Sequence, residues 1–224
     1  MMPDRAASGP RAGRLPVAEL LLVCCAVVDG HLAVLFVGGT TSVRATLPTA
    51  ALLAGEDPDG AAERATRTLL GRAAAWTAQG ATTVRDAEVA LAISYVMLVP
   101  SGTAAPAGCA WHRIGRGPAL AVRTTKAVEG AVALLRGRMD LEPIAFRMLP
   151  PTFTLSELQQ LYELLLGRGL HKASFRRALQ ASYLVQPTDA WRSEGRGRPA
   201  QLFRYSPRRG RGGLHRSVRF EMLR

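Results

Sequence analysis

Two apolar runs near the start of the chain are separated by a dipeptide that favours tight turns. Leu20–Val28 and Leu32–Val37 are apolar at almost every position, and Asp29 and Gly30 stand between them. This arrangement predicts a β-hairpin. Strands without a polar face lie inside a sheet that is covered on both sides, so we expect both strands to be central.

Helix and strand patterns then alternate along the chain. Asp59–Gly71 predicts a helix that ends at its glycine, and Ala127–Met139 predicts a second helix. Between them, Ala90–Val99 predicts a buried strand that stops at Pro100. Alternating strands and helices are typical of an α/β layered domain.

After residue 140 the pattern changes to short helices followed by a hairpin. The predicted elements are three helices and two strands: Pro143–Leu149, Thr154–Leu166, Lys172–Ser182, Tyr183–Gln186 and Ala200–Tyr205. A polar loop, Thr188–Pro199, joins the two strands. Three helices followed by a hairpin is the layout of a winged helix, a variant of the helix-turn-helix.

The middle one of these three helices has a strong start signal. Thr154 and Glu157 have the spacing of a capping box, and Phe153 is placed to pack against Leu158 as a hydrophobic staple. The helix also carries one apolar stripe: Leu155, Leu158, Leu161, Tyr162 and Leu165.

The charge of the chain indicates a polyanionic partner. The 224 residues include 29 Lys and Arg against 17 Asp and Glu, a net charge of +12. Residues 151–224 carry +9 of this excess, and residues 1–150 carry +3. A basic excess concentrated in one region is typical of nucleic-acid binding.

Several other classes of protein are disfavoured. The three cysteines, Cys24, Cys25 and Cys109, form no disulfide framework, and no Cys/His cluster has zinc spacing. Leu20–Val28 is shorter than the roughly 20 residues needed to span a bilayer. A second apolar run follows it directly, which argues against a signal peptide. We therefore expect a soluble, cytoplasmic protein with no metal and no cofactor.

The third helix of the winged helix has the division of faces that DNA recognition needs. Phe175 and Leu179 are spaced to face the core, which leaves Arg176 and Arg177 pointing away, with Lys172 one turn earlier. The predicted DNA-binding residues are Lys172, Ser174, Arg176, Arg177, Arg196 and Arg198. The alternative interpretation of this helix is a solvated basic face.

Two arginine-rich segments extend the basic surface. The wing loop carries Arg192, Arg196 and Arg198 among glycines, which let a backbone approach phosphates closely. Residues 206–224 contain six further arginines and are expected either to add sequence-independent affinity or to be an inert solubilising tail.

Three segments together resemble the Nudix-related transcriptional regulators. They are PIAFRMLP (Pro143–Pro150), FTLSELQQLYELLLGRGLHKASFRR (Phe153–Arg177) and GRPAQLFRY (Gly197–Tyr205). The resemblance implies an N-terminal Nudix-like α/β/α sandwich followed by an α+β winged helix. It also implies a homodimer that regulates genes of NAD or sugar metabolism and responds to ADP-ribose. An Ala- and Arg-rich composition fits a bacterial source.

The Nudix box itself, G-x5-E-x7-R-E-U-x-E-E-x-G-U, is degenerate in this chain. Glu56, Arg64 and Gly71 match it, but Ala65, Thr68 and Leu69 stand where three carboxylates would bind magnesium. We therefore predict no catalytic residues and no enzyme activity. The predicted ligand-binding residues, suited to a diphosphate, are Arg44, Glu56, Arg64 and Arg67.

Alternative roles stay open for these residues. Arg64 and Arg67 also fit exposed positions on a helix where nothing binds, and Arg64 also fits a structural bond that holds the loop before the helix. Glu56 also fits a loop or cap residue.

The predicted organisation is a flexible tail (1–16), a degenerate Nudix-like sensor domain (17–137), a linker with the winged helix (138–206) and a basic tail (207–224). The predicted function is a ligand-responsive regulator that binds a palindromic operator in double-stranded DNA and a phosphorylated ligand such as ADP-ribose. Two alternatives stay open: a non-sensing nucleic-acid-binding protein that uses the Nudix-like domain only to dimerise, and an active Nudix pyrophosphohydrolase.

Overall fold

The computed structural model describes residues 18–38, 45–85, 90–116, 120–139, 141–193 and 199–207. Its strands are β1 (Ala18–Val28), β2 (His31–Val37), β3 (Thr49–Ala51), β4 (Trp76–Arg85), β5 (Ala90–Leu98), β6 (Cys109–Arg113), β7 (Val185–Arg192) and β8 (Ala200–Tyr205). Its helices are α1 (Pro58–Leu70), α2 (Val122–Met139), α3 (Leu155–Leu166) and α4 (Lys172–Ser182), with a 3-10 helix at Ile144–Met148.

A six-stranded mixed sheet forms the N-terminal part, in the order β4-β5-β1-β2-β6, with β3 also paired to β1. Strands β1 and β5 run parallel, and β1 and β2 form the predicted antiparallel hairpin. Its two turn residues, Asp29 and Gly30, have φ values of 48° and 71°. Two positive φ angles define the type I′ turn that Asp-Gly favours.

Both faces of this sheet are covered, as the apolar strands predict. Leu20, Leu22 and Cys24 of β1 pack in one apolar cluster with the alanines of α1. Val23 and Cys25 point to the opposite face and pack in a second cluster with α2. The α/β/α arrangement follows from these alternating contacts.

Three strands of the sheet were not predicted from the sequence pattern. Strands β3 and β6 are short, and β4 is a polar strand at the edge of the sheet. The pairing of β4 with β5 shifts register between Gln79 and Thr82. Gly80 lies in this bulge, where a Cβ atom would meet the Ser94 hydroxyl at 2.6 Å, so the strand requires a glycine there.

The C-terminal part has the predicted winged-helix elements. The 3-10 helix, α3 and α4 precede the β7–β8 hairpin, and Phe153 pairs with Phe203 of β8 through two backbone hydrogen bonds. Its core contains a set of touching aromatic rings: Phe146, Phe153, Tyr162, Phe175 and Tyr205. The predicted loop Thr188–Pro199 starts too early, because β7 continues to Arg192.

The two parts share one apolar core. The cluster that contains Val23 and Cys25 of the sheet continues through Leu135 and Met139 of α2 to Leu158 of α3. Helix α2 is therefore the layer between sheet and winged helix, and it begins at Val122, five residues before its predicted start. In the described part of the chain, no helix is long and apolar enough to cross a membrane.

Candidate nucleic-acid interface and ligand site

Helix α4 presents one face to the core and the other to solvent. Phe175 and Leu179 are fully buried, whereas Lys172, Arg176 and Arg177 are exposed. The four-residue spacing of the two buried side chains fixes this orientation, because residues i and i+4 lie on one face of a helix. The structure thus brings three of the predicted DNA-binding side chains to one outward surface.

The outward surface of α4 is strongly electropositive. The helix, KASFRRALQAS, contains three cationic side chains and no acidic one. Among the residues that the structure describes, Lys172, Arg176 and Arg177 form no ion pair with a carboxylate. Their N–H donors are therefore available to phosphate oxygens and to the acceptor edge of guanine.

The start of α4 differs from the starts of α1 and α3. Asp57 caps α1 and Thr154 caps α3 with a side-chain oxygen, but His171 makes no such bond at the start of α4. A ring nitrogen of His171 lies 3.2 Å from the Ser174 hydroxyl instead. Backbone N–H groups of the first turn are thus left without a side-chain cap, and such groups bind phosphate at other helix starts.

Arg192 has a structural role that the sequence did not predict. It lies at the end of β7, and its guanidinium forms an ion pair with Glu157 of α3. Burial acts to raise the pKa of Glu157, but hydrogen bonds from Thr154 and Arg192 outweigh this effect and leave the pKa lowered. The other two predicted wing arginines, Arg196 and Arg198, lie outside the described residues.

Helix α1 occupies the position of the Nudix box helix and lacks its metal-binding chemistry. Ala65 is buried against the sheet, and the Thr68 hydroxyl donates to the backbone oxygen of Arg64 at 2.9 Å. Leu69 packs on the apolar cluster beneath the helix. Within the described ranges, no group of three His, Cys, Asp or Glu side chains is placed to hold a metal ion. The side chains on this face do not fit magnesium, which prefers carboxylate oxygens.

Glu56 and Arg64, two predicted ligand-binding residues, bind each other. The guanidinium of Arg64 donates to both carboxylate oxygens of Glu56, at 2.7 and 2.8 Å, and to the backbone oxygen of Ala51 at 3.1 Å. The side-chain hydrogen bond from Arg64 lowers the pKa of Glu56. This geometry matches the structural alternative for Arg64, because the pair holds the loop before α1 on the helix.

The other two predicted ligand-binding residues are placed differently. Arg67 is exposed on α1, with Glu63 3.9 Å away at i−4, and both side chains are 64% accessible. Surface pairs of this kind are weak, so Arg67 remains free to turn toward a ligand. Arg44 lies outside the described residues.

A polar cleft beside α1 contains residues that no sequence pattern indicated. It has a volume of about 390 Å³ and is lined by side chains that include Asp59, Glu63, Gln79 and Arg138. Asp59 accepts a 2.6 Å hydrogen bond from the Tyr95 hydroxyl. Burial, followed by this bond, raises the pKa of Tyr95, so the phenol stays protonated. These residues are far apart in sequence and carry no motif that predicts a shared site.

The C-terminal part matches a described family of DNA-binding domains. Residues 145–205 match the family model of the NrtR DNA-binding winged helix domain. Over 79 residues the chain is 39% identical to the ADPR responsive transcriptional repressor NtrR of Acinetobacter baylyi. That match covers 35% of this chain and 31% of the relative, so it spans less than a third of the relative's length.

Solved structures show the fold of nearly the whole chain. Shewanella oneidensis NrtR, crystallised with a 27mer DNA, matches with a TM-score of 0.67 at 21% identity, over 85% of this chain and 94% of that one. A MutT/nudix family protein from Enterococcus faecalis matches with a TM-score of 0.69 at 15% identity, over 86% and 89%. The predicted resemblance to Nudix-related regulators and the predicted fold class are confirmed: a Nudix-like domain precedes a winged helix.

Proposed function

We propose that this protein is a ligand-responsive transcriptional regulator that binds double-stranded DNA through its winged helix. The observation that carries the proposal is the outward face of α4, where Lys172, Arg176 and Arg177 have no carboxylate partner in the described structure. The family match of residues 145–205 supports the same role.

In this arrangement α4 enters the major groove. Arg176 and Arg177 contact base edges, while Lys172 and Ser174, near the start of the helix, contact phosphates. The wing residues Arg196 and Arg198 contact the backbone beside this groove. A homodimer places two such helices on two half-sites, which makes the operator palindromic.

The DNA experiment uses a duplex that the full-length protein selects from a random-sequence library. Binding is measured by fluorescence anisotropy. Arg176→Ala/Arg177→Ala should lose about 1–3 kcal/mol of binding free energy for each arginine that contacts a base. Arg123→Ala/Lys126→Ala is the matched control, since it removes two exposed cations from α2 instead. Equal weakening in both variants would show that net charge, not the α4 surface, drives binding.

For the N-terminal domain we propose sensing of a phosphorylated metabolite, with ADP-ribose favoured. The support is the Nudix-like fold and the relative that is named an ADPR responsive repressor. Arg44 and Arg67 are the proposed phosphate contacts. Glu56 and Arg64 belong to the same site through their mutual pair, which shapes the loop before α1.

A calorimetric titration with ADP-ribose in the absence of magnesium tests the sensor. Saturable binding of one ligand per protomer, weakened by Arg67→Ala and unchanged by Arg72→Ala, supports it. Arg72 is exposed just beyond the end of α1 and serves as the matched control. The absence of ADP-ribose binding would leave another metabolite as the ligand, or no ligand, in which case the Nudix-like domain is a dimerisation scaffold, the second candidate function.

The proposal also excludes hydrolysis of the ligand. Ala65, Thr68 and Leu69 supply no carboxylate to hold magnesium beside a diphosphate. Incubation with ADP-ribose and magnesium should therefore release no AMP. Magnesium-dependent AMP release that Glu56→Gln abolishes would instead identify a pyrophosphohydrolase with a relocated metal site.

A further inference from the structure

A solvent-open cleft of about 670 Å³ lies between the sheet and the winged helix. The β1–β2 turn and the end of β6 form one wall, α3 and the turn after it form the other, and Arg136 of α2 also lines it. Small-molecule sites have volumes of about 300–1,000 Å³. Of the described residues assigned above to DNA or to ADP-ribose, none lines this cleft.

Cationic side chains reach the cleft from three separate elements. Arg113 comes from β6, Arg136 from α2 and Arg168 from the turn after α3, and all three are exposed. Arg113 donates to a ring nitrogen of His31 at 3.2 Å. In the part of the chain that the structure describes, none of these three guanidinium groups forms an ion pair with a carboxylate.

Among the described residues that line the cleft, Glu163 is the only one with a carboxylate. Glu163 accepts hydrogen bonds from the backbone N–H of Leu170 at 2.8 Å and from the Gln159 amide at 3.0 Å. Both bonds end on Oε1 and fix the turn between α3 and α4, while the carboxylate still offsets one of the three positive charges at the cleft. The ionised groups that line the cleft sum to a positive charge even when His31 is neutral.

Arg136 is held in place at the end of α3. Its Nε donates to the backbone oxygen of Leu165 at 3.3 Å, and its guanidinium lies against Gly167, where a Cβ atom would collide with it. A cation at this point offsets the negative end of the helix dipole. The anion-repelling effect of the α3 carbonyl groups is thus reduced at the cleft.

We propose that this cleft binds a phosphorylated small molecule with at least two anionic groups, which bridges the sheet and the winged helix. Guanidinium groups form paired hydrogen bonds with phosphate oxygens, and three of them around one cleft match a diphosphate or a nucleotide. The bound molecule contacts the turn that precedes α4. The site goes beyond the proposed sensor, because the described residues of that sensor, Glu56, Arg64 and Arg67, do not line it.

The test is a calorimetric titration of the full-length protein with sodium pyrophosphate at constant ionic strength. Wild-type protein should bind saturably, and Arg113→Ala/Arg168→Ala should weaken binding at least about tenfold, which corresponds to about 1.4 kcal/mol. Arg123→Ala/Lys126→Ala removes the same charge from another surface and should leave the affinity unchanged. Both substituted pairs are exposed, and circular dichroism melts check that each variant folds.

Other outcomes separate this inference from the proposed function. The inference would be overturned if Arg67→Ala abolishes pyrophosphate binding while Arg113→Ala/Arg168→Ala preserves it. That result would place the anion at the proposed sensor. A lack of saturable pyrophosphate binding to the wild type would also overturn it. If ADP-ribose fails to bind while pyrophosphate binding depends on Arg113 and Arg168, the inference is supported and the sensor proposal fails.

Discussion

Trp76 donates its indole N–H to a carboxylate oxygen of Glu142 at 2.8 Å. Trp76 is buried at the start of β4, and Glu142 lies in the connection from α2 to the winged helix. Arg138 donates to the other oxygen of Glu142 at 3.1 Å. One half-buried carboxylate thus links the edge strand of the sheet to the segment that leads into the winged helix.

Glu142→Ala should destabilise the protein by about 1–3 kcal/mol, because it leaves the buried indole N–H of Trp76 without an acceptor. Glu142→Gln should lose less of the free energy of unfolding, since the amide oxygen of glutamine can still accept the hydrogen bond from Trp76. Urea unfolding measures both variants, and Glu129→Ala on the exposed face of α2 is the control. Equal losses for the Ala and Gln variants would rule out the hydrogen bond as the cause.

The ion pair between Glu157 and Arg192 makes stability depend on pH. The pKa of Glu157 is lower in the folded protein than its ordinary value. The ionised carboxylate therefore stabilises the folded protein fully at pH values above the ordinary pKa. This contribution is lost as the pH falls through the lowered pKa. Arg192→Met should raise the folded-state pKa toward its ordinary value, so the variant should be less stable at neutral pH and should lose less stability on acidification than the wild type.

Melting temperatures recorded at a series of pH values from neutral to about pH 3 measure this effect. Arg204→Met is a matched control in the same hairpin, because Arg204 donates to the neutral amide of Gln186. Its melting curve should keep the wild-type pH dependence. Parallel pH profiles for the Arg192 variant and the wild type would contradict the role of the ion pair.

Tyr183 ends α4 in a left-handed conformation, with φ of 54°, and its side chain is 55% exposed. Glycine adopts this conformation without strain. Tyr183→Gly should therefore increase the free energy of unfolding by up to about 1 kcal/mol. Tyr183→Ala keeps the Cβ atom and should not show this gain. A glycine variant no more stable than the alanine variant would mean that the left-handed conformation costs little free energy at this position.

Arg64 should control the acidity of Glu56. Removing its guanidinium in Arg64→Met takes away the main cause of the lowered pKa, so the pKa of Glu56 should rise toward its ordinary value. Carboxyl-detected NMR titration measures the change. Arg67→Met, one turn further along the exposed side of α1, should leave the Glu56 titration as it is in the wild type.

The basic C-terminal segment should affect the salt dependence of DNA binding and not its sequence preference. Ser206 donates its backbone N–H to Leu184 at 2.9 Å, so the deletion should begin at residue 208. The deletion should reduce the slope of log K against log salt by about 0.9 for each phosphate that the segment neutralises in the wild type. An unchanged slope would identify the segment as an inert tail.

Local signals in the sequence were sufficient for many elements. The Asp29-Gly30 hairpin, the Thr154–Glu157 capping box and the bounds of α4 were all predicted, because neighbouring residues determine them. Strand β4 was missed because the sequence WTAQGATTVR has few large apolar residues and alternates only weakly. It is stabilised by pairing with β5, and its bulge at Gly80 depends on Ser94 of that partner strand.

The candidate sites likewise contain residues that local sequence signals predict and residues that only the tertiary fold brings together. The faces of α4 follow from the four-residue spacing of Phe175 and Leu179, so its exposed cations were predictable. Arg192 was predicted to belong to the basic wing loop, yet it pairs with Glu157, a partner that only the tertiary fold brings near. Likewise, no sequence pattern connects Arg113, Arg136 and Arg168.

The apolar core that runs from β1 through α2 into α3 restricts how this architecture can be recombined. A winged helix cut out at residue 143 would leave the buried faces of Leu135 and Met139 without partners, and α3 would lose the layer on which it packs. Chimeras that join this DNA-binding part to another sensor should therefore carry α2 with it. The boundary between the proposed sensing and DNA-binding functions therefore falls inside one continuous apolar core.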